Sequence, residues 1–209
     1  VFAHCTSLET VEFQGRLPNC PAAGLFLGCH SLVRVELPLE LVMVSENAFA
    51  DCKLLKDIKL PERVRIIHTC AFQNCASLRQ IRFPKTLEEI RENAFGGCVS
   101  LVEIEFQASE AFLSLFEESF RGCTSLSAIA LPSRIFQIFW RAFLNCTSLL
   151  AIEFPPNKWF LHYSETMCVG CNSLVNVSFP PSTIRAVDET EDFPPGCDLL
   201  GGYGHSLKH

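Results

Sequence analysis

Apolar residues recur along the chain in one pattern, which is clearest between Ala71 and Pro84 (AFQNCASLRQIRFP). The pattern recurs between Ala48 and Pro61 and between Ala142 and Pro155. In its second half the last two apolar positions lie two residues apart, the spacing of a strand with one buried face. The chain is therefore predicted to contain many short strands. Most of them end at the proline that follows, because proline cannot donate a hydrogen bond to a neighbouring strand.

Cysteines mark the period of this pattern. Nine of the twelve cysteines are 23 to 26 residues apart, and each is followed three residues later by leucine. These ladder cysteines are Cys5, Cys29, Cys52, Cys75, Cys98, Cys123, Cys146, Cys171 and Cys197. A period of roughly 20 to 29 residues is typical of a leucine-rich repeat solenoid, whose stacked coils bury one continuous core. We predict about eight coils over residues 1–186, with residues 187–209 forming a degenerate last coil and a flexible tail.

Two further apolar positions keep the same phase. Phenylalanine usually stands three residues before the ladder cysteine, as at Phe95, and is expected to stack on its equivalents in the core. After the proline, most repeats carry a second apolar pair three residues apart, such as Val64 and Ile67. Stacking places like residues over like, so both positions are predicted to be buried.

The A-F-x-x-C turn and the I-x-L-P strand end resemble the BspA-like class of leucine-rich repeats. The resemblance extends from Phe2 to about Pro181. It implies a curved solenoid with a parallel β-sheet on its concave face, short strands and turns, and little helix. It also implies a surface protein, an adhesin or an interaction module, and it carries no shared catalytic residues.

Side chains on either side of the central Val or Ile of each strand should point outward. This places four cations on two neighbouring coils, beside two glutamates and a small apolar area. Either this is a partner-binding face, or it is an ordinary solvated face of mixed charge. The candidate binding residues on it are Lys56, Lys59, Arg79, Arg82, Glu103, Glu105, Leu150 and Glu153.

Aromatic residues in and near an irregular repeat are further candidates, because aromatics are enriched at binding hot spots. They are Trp140, Trp159, Phe160 and Tyr163. Trp159 and Tyr163 are the two that we include in the candidate site. The alternative is that these rings fill the gap left by the irregular repeat.

The periodic cysteines are best interpreted as buried, reduced thiols, since a free cysteine behaves as a small hydrophobe. Reduced thiols favour a reducing intracellular compartment, whereas the family resemblance favours the cell surface. Cys168 and Cys171 form an isolated C-x-x-C pair. It is either a redox or metal site, or an accident of Cys replacing Phe in the turn. No phosphate-binding loop or other cofactor motif stands out, so no cofactor is expected.

Composition narrows the classes of function. The net charge of −6 argues against a nucleic-acid partner, and no apolar run approaches the ~18 residues of a membrane-spanning helix. We predict a non-enzymatic module that binds another protein. The alternatives are a structural subunit of a large assembly, a surface adhesin that binds matrix protein or glycan, and a cysteine-dependent enzyme using Cys70. Neither end shows a polar capping repeat, so flanking sequence or a neighbouring subunit is expected to cover the ends.

Overall fold

The computed structural model describes residues 2–13, 22–108, 111–156, 161–179, 183–186 and 198–200, the last two ranges as backbone strands. They form a parallel β-solenoid of about seven turns, in which every strand pair is parallel. The described part of the chain contains one short helix, the 3-10 helix Glu165–Cys168. The predicted solenoid with short strands and little helix is confirmed. The predicted last coil and tail, residues 187–209, lie outside the described residues except for the final strand.

Fifteen short strands make up the solenoid. In chain order they are β1 (Thr10–Glu12), β2 (Arg34–Glu36), β3 (Met43–Val44), β4 (Ile66–Ile67), β5 (Gln80–Phe83), β6 (Glu89–Ile90), β7 (Glu103–Phe106), β8 (Leu113–Leu115), β9 (Ala128–Ala130), β10 (Ile135–Ile138), β11 (Ala151–Glu153), β12 (Leu161–Ser164), β13 (Asn176–Ser178), β14 (Thr183–Ala186) and β15 (Asp198–Leu200). We name each coil after its ladder cysteine.

The strands that follow the ladder cysteines form sheet 1, which was predicted. It consists of the pair β1–β2, the pair β5–β7 and the four strands β9, β11, β13 and β15. Its register aligns the central buried residues, for example Ile81 with Ile104 and Ile129 with Ile152. The Cys52 coil joins the sheet through a single parallel bridge between Lys59 and Arg82.

A second parallel sheet, which we did not predict, lies in the other half of each coil. Sheet 2 consists of β3, β4, β6, β8, β10, β12 and β14, in that order. The second apolar residue of each predicted pair forms its buried line, in which Ile67, Ile90, Leu115 and Ile138 are paired in register. The apolar pairs are therefore buried as expected. The unexpected feature is that the second residue of each pair lies in a β-strand of sheet 2.

The turn phenylalanines form one continuous stack along the core. The stack contains Phe2, Phe26, Phe49, Phe72, Phe95, Phe120 and Phe143, with successive ring centroids 5.1–5.7 Å apart. The stack is fully buried from Phe72 to Phe143, whereas Phe2 in the first coil is 40% exposed. Near-parallel rings in each coil therefore hold that coil against both neighbours.

The ladder cysteines link the coils through sulfur hydrogen bonds. Each buried ladder thiol donates to the carbonyl oxygen of the turn phenylalanine one coil earlier. For example, Cys98 donates to Phe72 over 3.2 Å and Cys171 to Phe143 over 3.0 Å. All ten described cysteines are free thiols, and seven of the nine ladder cysteines are buried. The predicted burial of Cys5 is wrong, because this thiol is exposed; within the described residues, only the Cys29 coil packs against its coil. Cys197 lies outside the described residues.

Each coil also contains left-handed backbone positions. The residue before the ladder cysteine has a positive φ in all eight described coils, for example Asn74 (58°) and Gly97 (74°). Gly97 lies directly beside Asn74, and a Cβ added to it would lie 2.4 Å from the Asn74 side-chain oxygen. Only glycine therefore fits at Gly97 without movement of its neighbour. Cys70, which is not part of the ladder, occupies a second left-handed position with φ of 56°.

Candidate functional site

The outer face of sheet 1 carries the predicted columns of exposed side chains. In β2, β7 and β9 the central residue is buried and both flanking residues are exposed. This alternation follows from the two-residue period of a strand with one face on the core. The side chains that flank the central residue are therefore available to a partner, as predicted.

The four predicted cations do lie together. Lys59 and Arg82 are paired in a parallel bridge, and the Arg79 amide donates to the Lys56 carbonyl over 3.1 Å, so each pair occupies neighbouring coils. Arg82 also forms an ion pair with Glu105, with Nε and Oε1 3.4 Å apart. In the described residues no ion pair involves Lys56, Lys59 or Arg79. These three side chains form a group of cations without bound carboxylates, which we call the basic patch.

Two adjoining depressions lie over this part of the face. One has a volume of about 360 Å³ and is bordered by Asp57, Lys59, Arg82 and Glu103, among others. The other, of about 530 Å³, shares Asp57 and Lys59 and extends to Arg34. A shallow, charged channel therefore crosses the strands from the Cys29 coil to the Cys98 coil.

Beyond Glu103 and Glu105 the outer face becomes small and apolar. Ala128 and Ala130 are exposed, and Ala151 is half-buried between Leu150 and the buried Ile152. Leu150 is 49% exposed, and Val175, at the equivalent position just before β13, is 56% exposed. The Val175 amide donates to the Leu150 carbonyl over 3.0 Å, which sets the two side chains next to each other.

Glu153 and Ser178 border this apolar area. Each directly follows the central residue of its strand, the two are paired in register, and Glu153 is exposed. Sequence reasoning included Leu150 but missed Val175 and the equally exposed Val102. All three precede the strand by one residue, so their common position in the repeat was the available signal.

The aromatic candidates differ in their exposure to solvent. Trp140 is 40% exposed, with the Arg141 guanidinium 5.3 Å from the ring centroid. Tyr163 was predicted to be a surface residue, and this is wrong. It lies at the inward position of β12, paired with Ile138, and its ring stacks on Phe179 at 4.5 Å. Trp159 and Phe160 lie outside the described residues.

Sheet 2 carries an aromatic surface that sequence reasoning missed. Phe112 and Phe136 are each about two-fifths exposed, and their ring centroids are 5.9 Å apart. Arg134 lies 5.3 Å over the Phe112 ring, and Phe136 meets the His162 ring edge-on at 5.6 Å. Because the Arg134 guanidinium covers one face of the Phe112 ring, part of this aromatic surface already contacts another side chain of the same protein.

Cys70, the nucleophile of the enzyme alternative, lies outside the ladder and is half-buried. Burial, followed by the nearby carboxylates of Glu46 and Glu92, raises the pKa of Cys70. A nucleophilic cysteine needs the opposite shift, since the thiolate is the reactive form. The Nδ1 atom of His30 lies 2.9 Å from the backbone oxygen of Asp51, so this ring nitrogen is hydrogen-bonded to the backbone of the next coil.

The described ranges contain no group of three or more His, Cys, Asp or Glu side chains placed to hold a metal ion. Within the same ranges, no helix has both the length and the apolar character required to cross a bilayer.

Comparison with protein families gives a direct match. The family described as "BspA type Leucine rich repeat region" matches in six copies, over residues 1–101 and 66–190. No similar protein was found among the curated proteins.

Solved structures show the same architecture. A leucine-rich repeat protein from Bacteroides ovatus ATCC 8483 aligns with a TM-score of 0.71 and 22% identity over 88% of this chain and 52% of its own. The T. pallidum leucine-rich repeat protein has 30% identity and a TM-score of 0.66, covering 79% of this chain and 77% of its own. A leucine-rich cell surface protein from Faecalibacterium prausnitzii A2-165 has 24% identity and a TM-score of 0.51, covering 90% and 62%.

The chain therefore spans about half the length of the B. ovatus protein that it resembles. The family match covers nearly the whole chain. The chain belongs to the BspA-type leucine-rich repeat family.

Proposed function

We propose that the chain is a non-enzymatic protein-interaction module whose partner docks across the outer face of sheet 1. The observation that carries this proposal is the basic patch of Lys56, Lys59 and Arg79, which lies on neighbouring coils without bound carboxylates. Like charges on neighbouring strands destabilise a sheet. The fold gains nothing from this patch, whereas a partner with carboxylates opposite it would be held in one orientation.

The rest of the face fits a protein partner. Ala130, Leu150 and Val175 offer an exposed apolar area next to the charged channel. Burying apolar surface supplies most of the favourable free energy of association, and complementary charges mainly set orientation and association rate. The expected partner surface is therefore acidic at one end and apolar at the other.

A structural subunit of a large assembly would use the same face and remains an alternative. A second candidate is a cell-surface adhesin. It is supported by the description of the F. prausnitzii protein as a cell surface protein, and by the exposed aromatics Phe112, Phe136 and Trp140 in and beside the strands of sheet 2. Guanidinium groups lie over the faces of Phe112 and Trp140. Those faces are not open for stacking on a sugar ring, which favours matrix protein over glycan as the ligand of an adhesin.

The test begins with a photo-crosslinking amino acid at Ala130, which identifies the bound protein, and continues with binding kinetics of purified components. The variant Lys59→Glu/Arg82→Glu should associate more slowly and lose much of the salt dependence of its association rate, because exposed charges act over a Debye length of ~8–10 Å. The fold should remain intact, since exposed ion pairs such as Arg82–Glu105 contribute only about 0–1 kcal/mol.

The matched control is Lys53→Glu/Arg63→Glu, which makes the same change in net charge at exposed positions outside the strands of sheet 1. The control should bind like the wild type. If both double variants associate at the wild-type rate at low and high salt, the partner does not dock over Lys59 and Arg82, and the proposed docking site is wrong.

A further inference from the structure

The Cys171 coil departs from the others at one core position. In the seven preceding coils the residue three places before the ladder cysteine is phenylalanine, and here it is Cys168. Cys168 is 1% exposed and Cys171 is fully buried. In the described residues, this coil alone therefore places two thiols in a single turn of the core.

The turn between these cysteines brings them within bonding range. The Cys171 amide donates to the Cys168 carbonyl over 3.0 Å. Val169 has φ −54° and ψ 129°, and Gly170 has φ 75°, which together describe a type II turn. The first and last Cα atoms of such a turn are less than about 7 Å apart, and disulfides need a Cα separation of about 4.4–6.8 Å.

The side chains also point the same way. Cys168 and Cys171 occupy the positions of Phe143 and Cys146 in the preceding coil, and all four side chains are buried in the core. A disulfide between Cys168 and Cys171 therefore requires rotation of the two cysteine side chains and no change in the pairing of the strands. Cys146 on the preceding coil also contacts the Cys171 sulfur, so it is the competing partner for a disulfide.

The neighbouring thiols also make Cys171 the more acidic sulfur. Contact with the Cys146 thiol, and then with the Cys168 thiol, lowers the pKa of Cys171, whereas contact with Cys123, and then with Cys171, raises the pKa of Cys146. By contrast, burial raises the pKa of Cys52 to about 12. A thiol with a lowered pKa beside a second thiol is the arrangement found where a nucleophilic cysteine has a resolving partner.

We propose that Cys168 and Cys171 form an oxidisable dithiol that hydrogen peroxide converts to a disulfide. The Cys171 thiolate attacks one peroxide oxygen and breaks the O–O bond, giving a sulfenic acid; the departing hydroxide takes up a proton to form water. The Cys168 sulfur then attacks the Cys171 sulfur, the S–O bond breaks, and a second water leaves with the Cys168 proton. In sum, two thiols supply two electrons and two protons, and one peroxide becomes two waters.

Burial limits which oxidant can act. The two sulfurs are covered, but Val169 and Gly170 in the same turn are half-buried, so a small peroxide needs only a local opening of this turn. Oxidation removes the Cys171 proton that is donated to Phe143, and with it the sulfur bond between the last two coils of the described ladder. This dithiol is separate from the docking face, so its test is independent of the proposed function.

The experiment treats the folded full chain with hydrogen peroxide, alkylates the remaining thiols and digests with trypsin. Residues 159–185 contain no internal Lys or Arg and hold both cysteines, whereas Cys146 falls in a different peptide. The expected result is that the 159–185 peptide loses the mass of two hydrogens and resists alkylation, and that reductant reverses both changes.

The variant Cys168→Ser should abolish the disulfide and leave a Cys171 sulfenic acid that dimedone traps. Cys70→Ser is the matched control and should leave the disulfide unchanged. Circular dichroism of each variant shows whether it is folded, and Cys168→Ala replaces the serine variant if the latter is not. The proposal is overturned if the folded wild type gives no intra-peptide disulfide, if Cys171 pairs with Cys146 instead, or if ladder thiols such as Cys98 oxidise equally fast.

Discussion

Replacing Phe95 by alanine tests the physical basis of the solenoid, because this ring lies in the middle of the aromatic stack. Phe95 is fully buried and stacks on Phe72 at 5.1 Å and on Phe120 at 5.3 Å. It also meets the Phe83 ring edge-on at 5.6 Å. The substitution removes all three ring contacts and leaves a cavity between two coils.

The expected loss can be worked out from these contacts. Truncating a buried Phe to Ala lowers the free energy of unfolding by about 3–5 kcal/mol. Aromatic pairs contribute about 0.5–1.5 kcal/mol each. Because Phe95 loses three of them, it belongs at the upper end of the range for buried phenylalanines, and we expect a loss of about 4–5 kcal/mol. The backbone bonds of residue 95 to Ser119 and Cys123 do not involve the ring and should survive.

The assay is equilibrium denaturation in urea, followed by far-ultraviolet circular dichroism. Repeat proteins are stabilised by contacts between nearest neighbours, so weakening the central coil should also separate unfolding into two transitions. Phe2→Ala is the control, since Phe2 is 40% exposed and stacks on one ring only, and it should lose about 1–2 kcal/mol. A loss under about 1 kcal/mol for Phe95→Ala would refute the assigned core.

Three further predictions concern the backbone and the thiols. Gly97→Ala should lower the free energy of unfolding by about 1–3 kcal/mol, measured by the same denaturation. Its control Gly122→Ala should lose only about 1–2 kcal/mol, the cost of a left-handed backbone for a residue with a Cβ, because both have positive φ but only the Gly97 Cβ would meet Asn74. Thiol counting on unfolded, unreduced protein should find the ladder cysteines reduced, whereas mostly oxidised thiols would contradict both the ladder and a reducing compartment. Burial raises the pKa of Cys52 from 9.0 to about 12, so its contribution to stability is complete below about pH 9 and is lost as the pH rises toward 12. Urea midpoints measured between pH 8 and 11 should fall above pH 9, and fall less steeply in Cys52→Ala.

Sheet 1 and the core stack could be predicted because each coil repeats the same residues in phase. Nine cysteines and their following leucines fix the register, and the alternation around Ile81 fixes which side chains point outward. Sheet 2 could not be predicted in the same way. Several of its strands are two residues long, such as Met43–Val44, so no two-residue period is visible and the sheet arises from pairing between coils.

Other misses had different causes. The residue before each described ladder cysteine is Gly, Asn, Asp or His, and the first three are residue types that favour a left-handed backbone, so this signal was present and not used. Cys70 and Arg141 carry no such signal, and hydrogen bonds to the next coil, to Glu92 and Thr166, help to hold them at positive φ. Tyr163 follows Ile138 by 25 residues, the spacing of Cys146 and Cys171, and this alignment would have placed it in the core.

Two kinds of hydrogen bond between coils each keep a fixed direction along the solenoid. Each buried ladder thiol, such as Cys98, donates backward to the preceding coil, and each turn phenylalanine amide, such as Phe95, donates forward to the next. The two faces of a coil therefore carry different donors and acceptors. A further coil-shaped element can continue these bonds only head to tail, which is a heterologous contact that extends into an open filament and does not close as a symmetric dimer. Any end-to-end assembly through this ladder would be a polar fibre with two chemically distinct ends.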